Sequence, residues 1–302
     1  MATRSKTAFI GLGAIGTPIA RHVAGATTLA VWNRTRAKAS AFALETGARD
    51  ASSPADAADG AEFLITCLPL SADVEAVLFD APSAAAALAP GALVIDCSSG
   101  DPTTSKRIAK RLADMGIGFI DAPVSGGVSG AEAAKLTTMV GGDAAALERA
   151  RPILATFSSK IVHCGGVGAG DAVKAVNNAL LAVSLWSTAE GLATLSKLGV
   201  DPSVALEVIN ASSGRSNASI NLFPERVLNR SFPRTFKLAL LDKDAGIAAN
   251  MARDTGTPAD ILELTSRLFG EAHRELGEEA DHVEAVKVVE RRAGTTITGG
   301  IR

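Results

Sequence analysis

The chain has 302 residues, 47% of them hydrophobic, which is enough apolar material for one large domain or for two ordinary ones with separate cores. A formal net charge of −2, with Lys and Arg scattered along the chain, presents no basic patch to a phosphate backbone, so nucleic acid is not an expected partner. Cys67, Cys97 and Cys164 lie far apart without the paired spacing of a metal site. They read as reduced apolar fillers, no metal is expected, and the cytoplasm is the expected compartment.

Residues 1–6 are too few for a signal or transit peptide ahead of the first apolar strand. No apolar run of about 18 residues is evident to cross a bilayer, so no membrane association is expected. Short apolar runs predict strands at 7–10, 28–32, 62–68, 93–97, 118–121, 136–140 and 161–164. Between them, alanine-rich segments at 14–24, 36–45, 103–115 and 144–155 carry apolar residues at three and four spacing and predict crossover helices. An α/β fold with a doubly wound parallel sheet over 1–165 accounts for this alternation most simply.

After Gly165-Gly166 the strand pattern stops. Residues 171–198 contain no proline and one glycine, Gly191, and predict a long linking helix of about 42 Å. It is apolar nearly all round and so is expected to be buried against other helices or a second subunit. Further helices are expected at 202–209, 236–253, 258–276 and 282–292, which makes 166–302 an all-α domain for substrate and oligomerisation. Residues 294–302 read as a loose tail.

Three motifs carry chemistry. Gly11-Leu12-Gly13-Ala14-Ile15-Gly16 is a GxGxxG loop between the first strand and the first helix. Its glycines permit a tight turn, close approach of a pyrophosphate, and helix packing, which is the Rossmann arrangement; the alternative is a glycine-rich turn that binds nothing. At the end of the second strand, Asn33-Arg34-Thr35 lacks the carboxylate that would hold the ribose hydroxyls of NAD. Asn33 cannot repel a 2′-phosphate, Arg34 can pair with one, and Thr35 offers a hydroxyl, so NADP is expected over NAD unless these are solvated loop charges.

The second motif, Asp121-Ala122-Pro123-Val124-Ser125-Gly126-Gly127, leaves a strand for a flexible turn whose N–H groups and serine hydroxyl suit a substrate carboxylate. The third is Lys174, with Asn178 four residues on along one helical face. Hydride transfer to an aldehyde needs a proton delivered to the oxygen, and Lys174 is the expected general acid/base. Burial beside an apolar nicotinamide would lower its pKa from about 10.4, while Val173, Val176 and Leu180 around it argue against full exposure. His22, His163, His273 and His282 have no comparable context and read as structural. The chain contains no tyrosine, which excludes a Tyr-Lys relay.

The glycine loop, 121–142 and 168–178 together resemble the signature segments of the β-hydroxyacid dehydrogenase family, which includes 3-hydroxyisobutyrate dehydrogenases and semialdehyde reductases. The likeness extends to Cys67-Leu68-Pro69, to Asp96-Cys97-Ser98-Ser99, where Ser99 replaces a usual threonine, and to 236–244 with Lys243-Asp244. The resemblance implies that Gly11, Leu12, Gly13, Ala14, Ile15, Asn33, Arg34, Thr35, Leu68, Pro69, Ser99 and Lys243 contact the dinucleotide. It implies that Ser125, Gly126, Gly127, Asn178, Phe236 and Asp244 serve a small carboxylate-bearing substrate, a hydroxy acid or its semialdehyde, while Lys174 moves the proton. A homodimer or homotetramer is implied as well. Two departures stand out: Ala134-Lys135 replaces a usual Gly-Thr, and 212–217 lacks the pocket aromatics of the 3-hydroxyisobutyrate branch. An imine reductase on the same architecture and a non-catalytic NADP-binding or sensing protein are the competing readings.

Overall fold

The computed structural model describes residues 4–299, and the chain divides between Lys174 and Ala175 into two compact units. The first unit is a sheet wrapped by helices. In chain order its elements are β1 (Lys6–Ile10), α1 (Gly16–Ala26), β2 (Thr28–Trp32), α2 (Arg36–Thr46), β3 (Arg49–Asp50), α3 (Pro54–Ala58), β4 (Phe63–Thr66), α4 (Ser71–Phe79), α5 (Ala84–Ala87) and β5 (Leu93–Asp96). Then follow α6 (Pro102–Ala113), β6 (Gly118–Asp121), β7 (Val124–Ser125), α7 (Gly127–Glu132), β8 (Leu136–Gly141), α8 (Ala144–Leu154) and β9 (Ser158–Gly165).

The strands run in the order β3-β2-β1-β4-β5-β6-β8-β7, with β9 paired to β8. Pairing is parallel from β3 to β6, as expected, but β8 is antiparallel to both β6 and β7, so the sheet is mixed at that side. Successive residues of a strand point to opposite faces, and here both faces are covered. Phe9, Val31, Ile65, Ile95 and Ile120 belong to one core, whereas Ala8, Ile10, Leu64, Val94 and Phe119 belong to the other. That double burial explains the nearly continuous apolar runs of these strands.

The second unit is helical. α9 (Ala169–Lys197) runs through the boundary and is followed by α10 (Pro202–Asn210), a π-helical segment Ala218–Val227, α11 (Leu238–Asp254), α12 (Asp260–Leu276), a 3-10 turn His282–Glu284 and α13 (Ala285–Ala293). Ala182, Leu185, Trp186, Ala189 and Leu192 of α9 pack with Phe223, Phe269 and Val286 in its core.

Two expectations are corrected here. By length and a mean hydropathy of 1.2, α9 does meet the criterion for a bilayer span that the sequence reading found nowhere. Its buried stripe, however, packs on the protein's own helices, as a core helix does. On the same helix Val173, Val176 and Leu180 are exposed in the single chain, so its burial on the protein's own helices is one-sided. The tail is not loose through residue 299: Ile297 is fully buried, its N–H donates to Glu290 Oε1 over 2.8 Å, and Gly299 N donates to Leu228 O. Residues 300–302 lie outside the described part.

Candidate active site

In a doubly wound sheet ligands gather at the carboxyl ends of the strands, next to the point where strand order reverses. That point lies between β1 and β4. At the end of β1, Gly11 has φ +107°, and a Cβ there would collide with Cys67 O. At Gly16 a Cβ would meet Gly11 O, so both positions accept only glycine. Gly13 has nothing within 4 Å of its Cβ position, and Gly13 and Ala14 are exposed. No side chain caps the start of α1; Thr17 N and Ile19 N donate to Gly13 O and Ile15 O and Pro18 has no N–H, so the approach open to an anion is at the loop residues Gly13 and Ala14. An open glycine before an uncapped helix start fits a dinucleotide pyrophosphate.

Asn33, at the end of β2, braces this loop: Leu12 N donates to its Oδ1 over 2.9 Å, and its Nδ2 donates to Thr35 O over 3.0 Å. Arg34 projects outward with its side chain 85% exposed and lies 3.8 Å from Asp73 of α4, a neighbour that the sequence reading missed. Leu68 and Pro69 follow β4, and Leu68 N donates to Ser98 Oγ after β5 over 2.9 Å, which ties the Leu68 loop to the segment carrying Ser99.

Ser125 is not in a flexible turn. It belongs to β7, opposite Thr137 of β8, and Gly126 caps the short helix α7 with φ +136°. The Ser-Gly-Gly segment is thus an ordered strand-to-helix junction, with open space beside Gly127. Ala134 keeps a left-handed turn, φ +53°, where the resemblance expects glycine.

Lys174 lies in the second turn of α9 and is buried, 8% exposed. The residues expected to shield it, Val173, Val176 and Leu180, face outward instead; Lys174 belongs to the buried stripe with Asp171, Ala175 and Asn178. In the second unit, Asn178 Nδ2 donates to Asp244 Oδ2 over 2.6 Å, and Lys243 Nζ lies 3.1 Å from Asp244 Oδ1. Asn177 Nδ2 donates to Asn178 Oδ1. The expected residues Asn178, Lys243 and Asp244 form one connected polar group, which Asn177 joins. Phe236 is occupied differently: its ring meets His282 at 5.3 Å, and its N–H donates to Asp281 Oδ2.

All four histidines are tied into local structure. His22 reaches the carbonyls of Ala131 and Glu132, His163 that of Gly142, His273 the carboxylates of Asp242 and Glu278, and His282 those of its neighbour Asp281 and the Phe236 carbonyl. What the motifs did not disclose is a set of buried carboxylates. Asp96 ends β5, Asp121 ends β6 and Asp171 lies in the first turn of α9, all buried. Burial pushes Asp96 up to about 6 against the bonds from Ser98 and Thr66. It raises Asp121 too, and raises Asp171 well above the carboxylate range, with the charges of Asp121 and Asp96 adding to the effect. An Asp closing each of two adjacent strands was the available sequence signal.

The chain matches two family models end to end. Residues 6–166 match the NAD binding domain of 6-phosphogluconate dehydrogenase, and residues 168–289 match the NAD-binding region of NADP-dependent 3-hydroxyisobutyrate dehydrogenase. It is 35% identical to 2-(hydroxymethyl)glutarate dehydrogenase of Eubacterium barkeri, covering 98% of each chain. An NAD-dependent L-serine dehydrogenase of Pseudomonas aeruginosa is 39% identical across 85% of this chain and 89% of its own. Among solved structures, Mycobacterium tuberculosis 3-hydroxyisobutyrate dehydrogenase with L-serine superposes with a TM-score of 0.86 at 31% identity, over 95% of this chain and 99% of that one.

Proposed function

Because the chain belongs to the β-hydroxyacid dehydrogenase family, whose members are nicotinamide-binding oxidoreductases, we propose that it interconverts a small hydroxy acid and its semialdehyde with NADP and uses Lys174 as general acid/base. The observation that carries this reading is the burial of Lys174 on a helix whose flanking valines are exposed, since burying an ammonium group carries a desolvation cost that an exposed lysine avoids. Substrates in the names of the relatives, 3-hydroxyisobutyrate, L-serine and 2-(hydroxymethyl)glutarate, share a hydroxymethyl group on the carbon that bears a carboxylate. A substrate of that class suits the residues at hand: a Ser125-Gly126-Gly127 junction to hold the carboxylate and a lysine to serve the hydroxyl.

A nicotinamide held at the glycine loop would supply or take up the hydride. Lys174 protonates the aldehyde oxygen in reduction and accepts the hydroxyl proton in oxidation. Asn178, four residues on along the same helical stripe, orients that oxygen, with Asp244 fixing the amide through the 2.6 Å bond. Arg34 favours NADP: it is exposed, lies no closer than 3.8 Å to Asp73, and no carboxylate follows β2 to repel a 2′-phosphate. The apolar residues left exposed on α9 and α10, among them Leu180, Val204 and Val208, support a homodimer or homotetramer.

The test is oxidation of NADPH and NADH with glyoxylate, tartronate semialdehyde, succinic semialdehyde, methylmalonate semialdehyde and one cyclic imine. NADPH-selective reduction of a semialdehyde is the expected result. Turnover confined to the imine would overturn the substrate class, and equal use of NADH would overturn the role given to Arg34.

A further inference from the structure

We propose that Asp121 is a positioning residue that sets Lys174 in place by anchoring the head of α9 from strand β6. The proposal rests on the reading of Lys174 as the proton-transfer residue. Helix N-termini leave N–H groups without partners inside the helix, and a side chain next in sequence usually serves them. At α9 the service comes from 47 residues away: Gly168 N donates to Asp121 Oδ1 over 2.7 Å, and Asp171 N donates to Asp121 Oδ2 over 2.9 Å. The carboxylate is fully buried, so no water competes for these bonds.

The surroundings seat the helix head closely on the sheet. A Cβ on Gly170 would lie 2.8 Å from Asp121 Oδ2, and one on Gly141, directly opposite Asp121 in the β6–β8 pairing, would lie 2.8 Å from Ala169 N. The helix therefore rests backbone to backbone on β8. Its other side is held by Asp171, whose carboxylate accepts from Gly100 N over 2.9 Å and from Ser105 Oγ over 2.6 Å. Lys174 follows Asp171 by three residues, on the same face.

A helix turns about 100° and advances about 1.5 Å per residue, so a slip of one residue at its head would carry Lys174 out of line altogether. Much smaller shifts matter, because a displacement of about 1 Å can cost on the order of a hundredfold in rate. The four residues after Asp121 lead straight to Ser125. One carboxylate thereby ties the segment proposed to hold the substrate to the helix proposed to deliver the proton.

The test is a double-mutant cycle in kcat with Asp121→Asn and Lys174→Ala, with NADPH affinity measured for each protein. Asparagine keeps the shape but turns an N–H toward one of the two donors. Asp121→Asn is expected to lower kcat tenfold or more while NADPH affinity stays within about twofold, and to lower it no further once Lys174 is alanine. A multiplicative loss in the double variant, or wild-type kcat in Asp121→Asn, overturns the proposal. Wild-type turnover in Lys174→Ala instead overturns the assignment of Lys174 on which it rests, so the two failures are told apart. If Asp121→Asn does not fold, Ser105→Ala takes its place in the cycle: it loosens the same helix head through Asp171, and the smaller kcat loss expected must likewise vanish in the Lys174→Ala background, its persistence there counting against the proposal.

Discussion

Ala134 holds φ at +53°, a conformation in which its Cβ crowds the backbone, at a cost of about 1–2 kcal/mol relative to glycine. Glycine would relieve that strain but also widen the unfolded ensemble by about 0.4–1 kcal/mol. Ala134→Gly is therefore expected to stabilise the protein by roughly 0.5 kcal/mol, measured by urea denaturation; a loss of stability would mean that the turn is not strained. Asp96 supplies a pH dependence with a definite sign. Its folded pKa of about 6 lies above the unfolded value, so the native state binds the extra proton between the two. Its contribution is fully present below about pH 4 and is lost as pH rises through about 6, to the extent of about 3 kcal/mol. Asp56, drawn down to about 2 by the Ser52 N–H and Arg49, acts in the opposite sense at lower pH. The difference between wild type and Asp96→Asn isolates the first effect: wild type should lose ground to the variant from pH 4 to 7 in thermal melts, and a constant difference would refute the raised pKa. None of this through-space electrostatics was readable in the sequence. The turn of the glycine loop was, because it lies in one contiguous stretch whose spacing states its own geometry; the Ser-Gly-Gly segment and Lys174 were singled out as candidates, but the strand-to-helix junction and the buried stripe that hold them depend on distant pairing and were not.

Among the elements, the long strands and helices were legible because period-two and period-3.6 patterns need several residues to declare themselves. β3 and β7, of two residues each, and α5, α3 and α7, of four to six, are too short to carry a period and were missed, as was the nine-residue α4. The π-helical segment was missed for another reason: Pro224 within it would break an α-helix, and the chain answers with a wider turn in which Leu228 N donates to Phe223 O, five residues back. The C-terminal segment misled by composition. Thr295, Thr296 and the glycines look like a tail, yet the single apolar residue among the described residues 294–299, Ile297, fills a place in the core of the second unit. Ile297→Ala is expected to cost about 2–5 kcal/mol in chemical denaturation, whereas a truly loose tail would show no change.

At the scale of the molecule, the change from alternating strands and helices to helices alone was visible at Gly165-Gly166, while the compact units divide further on, within α9. A continuous helix hides such a boundary, since neither its periodicity nor its composition changes there. Lys174 closes the first unit, at the end of the segment that Asp121 and Asp171 fix to the sheet. The strand-end residues and that lysine thus belong to one unit and one scaffold, which suits the proposed pairing of hydride transfer with proton transfer. The most direct measurement is the kcat of Lys174→Ala for NADPH-driven reduction of the best semialdehyde, with NADPH affinity measured alongside. The account predicts a loss of about two to four orders of magnitude with affinity nearly unchanged; turnover at the wild-type level would contradict it and place the proton chemistry on another group.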